Sequence, residues 1–197
     1  MPSNTVSEKN IDTLDFSIPK SLIKKLENGE VVLAKEIVYK YPIAYNYCLD
    51  HYSRDLKEVK SIIWECSDEN YKRAFFEIMF RRNTLSPCNM FIMSWANFDK
   101  FCRWVFDVLG KLEQRIDISY YNDYQKRIYG FLSERLLNVF VCAENLKVNQ
   151  YPLLFFGDDN TEKISSLKYK LRVMERKFCM NLLKEKYSRM DAVFKNI

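Results

Sequence analysis

The sequence predicts a helix-rich α/β fold, and three observations support this class. Glycine and proline are scarce, at 4 and 5 of 197 residues, which disfavours a turn-rich all-β sandwich or barrel. Several long segments repeat apolar residues at helical spacing, and short compact apolar runs lie between them. With 48% apolar residues, a chain of this length can bury the core of one domain.

The first half of the chain is predicted to be mainly helical. Residues 1–14 form a polar segment that we expect to be a flexible lead-in. A short helix then begins at Ile18-Pro19-Lys20, and Asn28-Gly29 is suited to end it near residue 26. The elements expected after it are a strand over 31–34 and helices over 43–51, 54–66 and 68–82, before Pro87 ends the run.

The second half alternates short strands with longer helices. The apolar runs at 88–93 and 151–156 are predicted strands. The amphipathic segment from Phe98 to Ile116 is a predicted helix, and a polar loop separates it from a second helix over about 123–146. The turn Gly157-Asp158-Asp159-Asn160 is expected to cap a long final helix over 161–194. Its predicted apolar stripe contains Ile164, Leu167, Leu171, Met174, Phe178, Leu182, Tyr187, Met190 and Phe194.

Composition restricts the classes of function. The net charge of +5 is concentrated at the end of the chain, since residues 162–197 hold ten Lys or Arg against four Asp or Glu. One histidine and six scattered cysteines without a CxxC pair argue against a structural zinc site. Four glycines cannot supply a Walker loop or a GxGxxG motif. No apolar run is long enough to span a membrane, so we expect a cytoplasmic protein with reduced thiols.

The segment 124–141, YQKRIYGFLSERLLNVFV, is the most informative helix. At 100° per residue one polar arc of about 80° contains Asp123, Arg127, Gly130, Glu134 and Asn138. An ordinary solvated face explains this arc as well as a binding site does. Gly130 favours the site, because glycine weakens a helix interior and permits close approach to the backbone. A carboxylate at Glu134 between Arg127 and Arg135 would stay ionised, as a general base must.

Three other positions carry an open alternative. His51 lies in the charged segment DHYSRDL and is either a catalyst or a hydrogen-bonded structural residue. Asn89 either contacts a ligand or caps a turn. The pair Asp158-Asp159 either ligates a metal or caps the final helix, and the position before a helix favours the cap.

The order of motifs resembles one bacterial family. The segments that carry the resemblance are DFSIPK at 15–20, YxxxH from Tyr47 to His51 with RDL at 54–56, CNMFIM at 88–93, FCRWVFDVLGKLEQRIDIS at 101–119 and the helix at 124–141. Together they resemble the family catalogued as domain of unknown function 4422, whose members are regarded as capsular or exopolysaccharide glycosyltransferases. The resemblance runs from about residue 15 to 155.

The resemblance implies a domain similar to the GT-A type of sugar transferase, with a nucleotide sugar as donor. The present chain would correspond to its C-terminal, acceptor-side part, as a partial domain over 15–157 followed by a basic amphipathic helix over 158–197. The family's upstream motif, His-Tyr-Arg-Arg-Tyr, is absent, so we expect the isolated chain to transfer no sugar. A divalent metal is compatible with the family, but the residues here do not support one.

The same resemblance suggests site residues. Glu134 would be the base that deprotonates an acceptor hydroxyl, if the reaction inverts configuration. Substrate-binding positions would be His51, Asp55, Asn89, Arg127 and Gly130, with Arg127 and Asn89 contacting diphosphate or sugar hydroxyls. The acceptor would be a glycan or a lipid-linked sugar.

A non-catalytic class remains open beside the enzyme. The chain could instead be a helical interaction module or a peripheral membrane-binding protein, with residues 161–194 against an anionic membrane surface at the inner face of the cell membrane. Nucleic-acid binding is not expected, because the aromatic residues lie mainly at core spacing and no known recognition motif is present.

Overall fold

The computed structural model describes residues 5–6, 17–153, 155–156 and 166–188. Helices dominate, which confirms the helix-rich α/β class. The helices are α1 (Lys20–Glu27), α2 (Ile43–Asp50), α3 (Ser53–Cys66), α4 (Glu69–Phe76), α5 (Trp95–Arg115), α6 (Ile128–Ala143) and α7 (Ser166–Ser188). A π-helical turn, Glu77–Arg81, continues α4, and a 3₁₀ turn, Gln125–Arg127, leads into α6.

The strands are short and form three small sheets. They are β1 (Thr5–Val6), β2 (Val31–Ala34), β3 (Ile37–Val38), β4 (Thr84–Leu85), β5 (Phe91–Ile92), β6 (Val148–Tyr151) and β7 (Phe155–Phe156). The central sheet has the order β5-β2-β6, with β2 antiparallel to β5 and parallel to β6. All four residues of β2 are buried, as expected for a central apolar strand. β3 pairs with β4, and β1 pairs in parallel with β7.

Two predicted strands differ from the structure. The strand expected over 88–93 is limited to Phe91–Ile92, because Cys88 and Asn89 adopt left-handed backbone conformations with φ of 73° and 49°. The strand expected over 151–156 begins earlier, at Val148, and ends at Tyr151, while Phe155–Phe156 pair elsewhere. Within the predicted lead-in, Thr5–Val6 form a strand; the rest of residues 1–14 and the turn at 157–160 lie outside the described residues.

Helix α6 lies at the centre of the core. It packs mainly against α4 and α5, and it is buried almost continuously from Arg135 to Val141. Phe140 is fully buried against the rings of Phe101, Tyr71 and Trp104. Truncating one such buried Phe to Ala costs roughly 3–5 kcal/mol, from the lost burial together with the cavity left behind. The polar N-terminal half of α6 is thereby held rigidly at the edge of the core.

The described part of helix α7 packs through the face opposite its predicted apolar stripe. Of the predicted stripe, Leu167, Leu171, Met174 and Phe178 are 57–69% exposed. The helix instead contacts β3 and the π-helical turn through its opposite side, where Met180 is buried and the Arg176 guanidinium donates to the Val38 carbonyl. The predicted ends at 161 and 194 lie outside the described residues. No helix in the described ranges is long and apolar enough to cross a bilayer.

Candidate functional site

The N-terminal half of α6 faces the loop that connects β4 with β5. Asn138 on α6 fixes this loop with two hydrogen bonds to Ser86. Its Nδ2 donates to the Ser86 carbonyl at 2.9 Å, and its Oδ1 accepts from the Ser86 amide at 3.0 Å. Both residues are buried, so the bonds are shielded from water. The loop is therefore held over α6, and Cys88 and Asn89 are brought close to Glu134.

Glu134 holds the next part of the same loop. One carboxylate oxygen, Oε1, accepts a hydrogen bond from the Cys88 amide, and the other, Oε2, lies 3.2 Å from Nη1 of Arg135. The side chain remains 22% exposed. A left-handed conformation at a residue with a Cβ, such as Cys88, costs of order 1–3 kcal/mol and is often found at functional sites. The carboxylate of Glu134 stabilises that conformation.

Asn89 lies against the same turn of α6. Its Nδ2 donates to Ser133 Oγ at 3.1 Å, while its Oδ1 is buried and has no hydrogen-bond partner in the described part of the chain. The structure thus brings Asn89 close to Glu134, and a shared role of the two in substrate binding stays a prediction.

His51 lies on the other side of this end of α6. Its ring stacks on Phe131 with centroids 4.1 Å apart, and Nδ1 lies 3.3 Å from Gln125 Oε1. Because Gln125 also donates from Nε2 to the Asp50 carbonyl, its Oε1 is oriented to accept, and Nδ1 of His51 carries the hydrogen. Burial lowers the pKa of His51, so the ring is neutral near pH 7. These contacts are those of a hydrogen-bonded structural histidine, and a substrate contact of His51 stays a prediction.

Asp55 is deeper still, at 1% exposure. Its Oδ1 accepts a hydrogen bond from the Tyr121 hydroxyl, and its Oδ2 is buried without a partner. Burial is the main reason that the pKa of Asp55 lies above its usual value. A substrate could reach this carboxyl only if surrounding residues moved, and its predicted binding role stays untested.

Arg127 and Gly130 lie at the exposed end of the arc. The Arg127 guanidinium lies 5.3 Å from the centre of the Phe131 ring, and no ion pair joins Arg127 to Glu134 among the described residues. A Cβ on Gly130 would meet nothing within 4 Å. No other part of the described chain therefore approaches this glycine. The space beside Gly130 is open to a ligand. Arg127 and Arg135 were both expected to flank the Glu134 carboxylate, but among the described residues only Arg135 pairs with it.

The buried polar atoms without partners are concentrated in this region. Within the described residues they are Tyr47 Oη, Asp55 Oδ2, Asn89 Oδ1 and Arg135 Nε. Arg135 lies between Tyr47 and Glu134, because its guanidinium lies 5.0 Å from the centre of the Tyr47 ring and pairs with Glu134. Buried polar groups normally have a partner, so these atoms are positions at which a water molecule or a ligand group would be bound. We refer to Tyr47, Asp55, Asn89, Glu134 and Arg135 as the polar cluster.

Sequence reasoning assigned no binding or catalytic role to three residues of this site, although it named Arg135 as a cation flanking Glu134 and Tyr47 as part of the YxxxH pattern. Gln125 orients His51, and nothing in the sequence links residues 74 positions apart. Tyr47 has the spacing of a core aromatic residue and is fully buried. Arg135 did carry a signal, because a charged residue follows Glu134 at the border of the apolar arc of the helix. In the described part of the chain no group of three or more His, Cys, Asp or Glu residues could hold a metal ion, and Asp158-Asp159 lies outside that part.

Comparisons with known proteins place these residues in a family. The model of the family described as domain of unknown function (DUF4422) matches residues 6–145, which include the whole polar cluster. No curated protein matches significantly. Among solved structures, the chain resembles the apo structure of the bifunctional glycosyltransferase WbbM, with a TM-score of 0.63 and 23% sequence identity. The similarity covers 71% of this chain and 26% of that one. At this identity it shows a shared fold.

Proposed function

The chain belongs to the family described as domain of unknown function 4422, and we propose that it acts in sugar transfer for capsular or exopolysaccharide synthesis. The donor would be a nucleotide sugar, and the acceptor a glycan or a lipid-linked sugar. The chain spans about a quarter of the glycosyltransferase that it resembles. The activity is therefore proposed for an enzyme in which further residues, beyond those of this chain, bind the donor. We expect it to act at the inner face of the cell membrane.

The observation that carries the proposal is the polar cluster with its unpartnered buried atoms. Among the described residues, Asn89 Oδ1 is an acceptor and Arg135 Nε a donor without a hydrogen-bond partner, and both are buried, so a sugar hydroxyl would reach them only after neighbouring side chains shift. Sugar hydroxyls both donate and accept hydrogen bonds, so such a pair of groups suits a sugar ring. The exposed guanidinium of Arg127 and the open backbone at Gly130 lie on the same arc of α6. Arg127 is suited to a diphosphate, which guanidinium groups bind well.

Glu134 is the group in the cluster that is suited to take a proton. In the proposed reaction it accepts the proton of an acceptor hydroxyl while that oxygen forms a bond to the anomeric carbon. The bond from the anomeric carbon to the diphosphate oxygen breaks, and the nucleoside diphosphate leaves with the electron pair. The contacts of Glu134 with the Cys88 amide and with Arg135 would fix its orientation for this transfer.

Replacing Glu134 by Gln separates this role from a purely structural one. Glutamine keeps a side-chain oxygen that can accept from the Cys88 amide, so the loop should remain in place. If Glu134 is the base, turnover in the enzyme with its donor-binding part should fall about 100-fold or more. Asp99→Asn on α5 removes one exposed carboxylate elsewhere and serves as the matched control. Unchanged turnover in Glu134→Gln would reject the role.

Binding tests the proposal on the 197-residue chain itself. Calorimetric titration with acceptor glycans should show binding that weakens in Glu134→Ala and in Arg135→Gln. If neither variant changes glycan binding, the polar cluster does not form the acceptor site.

A peripheral membrane-binding function is the second candidate. The observation that favours it is the exposed apolar row on α7. The two candidates are compatible, because a lipid-linked acceptor would be met at a membrane surface.

A further inference from the structure

A cleft lies between α7 and the end of the π-helical turn. Its volume is about 260 Å³, and its polar lining consists of Arg81, Arg82, Asn83, Thr84, Lys177 and Asn181. Cations, the Asn181 amide and the Thr84 hydroxyl therefore line one space, while the Asn83 amide nitrogen donates to the carbonyls of Tyr39 and Arg176. This combination of hydrogen-bond donors is suited to phosphate oxygens. Insertions of a π-helical turn into an α-helix are frequently found at functional sites.

The charge of this cleft is positive. Three of its lining residues are cationic, and among the described residues the carboxylate paired with them is Glu77, which lies 3.3 Å from Arg82 and 3.9 Å from Arg81. Three positive charges and one negative charge give +2. The Arg81 and Arg82 side chains are 64% and 43% exposed, so an anion can reach them from outside.

An exposed apolar row borders the same cleft. At 100° per residue Leu167, Leu171, Met174 and Phe178 fall within an arc of about 60° on α7, over a length of roughly 16 Å. Lys177 and Asn181, which line the cleft, border this arc on one side. Lys170 lies on that side as well. The row contains no charged residue, and its four side chains are 57–69% exposed.

We propose that this face of the protein binds the surface of an anionic phospholipid membrane, with α7 lying in the interface. The cleft takes a phosphate-bearing headgroup, and the apolar row of Leu167, Leu171, Met174 and Phe178 enters the boundary of the acyl chains. The juxtaposition of cationic cleft and apolar row selects this partner. A nucleotide would use the cleft and leave the row in water, and a second copy of this basic helix would bring like charges together. This inference names a partner, and it holds whether or not the chain transfers sugar.

The test is co-sedimentation of the 197-residue protein with vesicles. The protein should bind vesicles of equal parts phosphatidylglycerol and phosphatidylcholine, and binding to phosphatidylcholine alone should be much weaker. The double variant Arg81→Gln and Lys177→Gln removes two positive charges. Each charge near the membrane contributes about fivefold to the partition coefficient, so the double variant should reduce it about 25-fold. Phe178→Ser should reduce it at least tenfold.

Matched controls lie on α5. Arg103→Gln with Lys111→Gln removes the same total charge from exposed positions, and Phe106→Ser removes a Phe that is 67% exposed, against 63% for Phe178. Neither control should change the partition coefficient more than about twofold. Circular dichroism checks that each variant retains the helix content of the wild type.

Three results would overturn the proposal. The first is no binding to anionic vesicles at low salt, or binding that the cleft and row variants leave unchanged. The second is binding of inorganic pyrophosphate that Arg81→Gln weakens, without vesicle binding, which would assign the cleft to a dissolved phosphate compound. The third is self-association by sedimentation velocity that Phe178→Ser abolishes, without vesicle binding. None of these readouts involves sugar transfer, so a failure here would overturn the membrane-binding candidate and would be separate from a failure of the proposed sugar transfer.

Discussion

Asn138→Ala tests how the loop that carries Asn89 is held. Asn138 forms a hydrogen bond with each backbone group of Ser86, which is 2% exposed. Truncation leaves a buried amide and a buried carbonyl without partners, and each costs about 1–3 kcal/mol. The expected loss in the free energy of unfolding is therefore about 2–6 kcal/mol. For a chain of this size, that lowers Tm by roughly 5–20 °C.

Thermal and urea unfolding, followed by far-UV circular dichroism, measure this loss. Asn70→Ala on α4 is the matched control. Asn70 is exposed and only accepts a bond from Arg73 at 2.6 Å, so its removal should change stability by less than about 0.5 kcal/mol. A loss below 1 kcal/mol for Asn138→Ala would mean that water or a shifted loop satisfies Ser86, and that α6 does not fix the loop.

Three further substitutions probe the site and its surroundings. Asp55→Asn keeps an acceptor for the Tyr121 hydroxyl. Because burial raises the pKa of Asp55 in the folded protein, the contribution of this carboxyl to the free energy of unfolding is fully present below the pKa that it has in the unfolded chain. That contribution is lost as the pH rises through the pKa of Asp55 in the folded state. The stability of the variant relative to wild type should therefore increase between pH 4 and pH 7 in urea unfolding, and a constant or falling difference would contradict this. Tyr47→Phe removes a fully buried hydroxyl that has no partner among the described residues. The free energy of unfolding should therefore stay equal or rise by about 1 kcal/mol. A loss above about 1 kcal/mol would reveal an unrecognised partner of the hydroxyl. Gly130→Ala should raise the free energy of unfolding by up to about 1 kcal/mol, since the added Cβ meets no other atom within 4 Å. Calorimetry should show weaker glycan binding by the same variant. Unchanged binding would reject Gly130 as a binding position.

Helices were predictable where their apolar spacing is regular. The repeat from Phe98 to Ile116 predicts a helix, and α5 spans Trp95–Arg115. Asn28-Gly29 predicts the end of α1, and Gly29 has the positive φ of 79° that a helix end of this kind requires. These features depend on neighbouring residues in the chain, so the sequence alone contains them.

Strand bounds were not predictable, because pairing with distant residues sets them. β6 contains the polar pair Asn149-Gln150 and lacks the apolar run of a buried strand. It pairs with the buried strand β2, and the Asn149 amide is satisfied by Glu30 and Lys25. The apolar run at 88–93 forms a strand only at Phe91–Ile92, where it pairs with Val32 and Leu33. Hydrophobic patterns carry no information about such partners.

The same limit applies to the site and to α7. The polar arc of α6 was visible in the sequence, but the contacts of Glu134 with the Cys88 amide and of His51 with Gln125 join segments 46 and 74 residues apart. For α7 the sequence contains the apolar stripe, but not the fact that the helix packs through the side of Met180. An amphipathic pattern identifies an apolar face without naming what covers it.

The two contacts of Glu134 bear on whether it is a base or only a support for the loop. A carboxylate has about four acceptor sites on its two oxygens, and the Cys88 amide and Arg135 occupy one on each. At 22% exposure the side chain can still meet an acceptor hydroxyl from the side of Gly130, one helical turn away. A residue that only supported the loop would need neither that opening nor the unpartnered donor of Arg135 and acceptor of Asn89 beside it. In the proposed reaction, the same contacts that hold the loop would fix the orientation of the carboxylate for an acceptor bound on the side of Gly130.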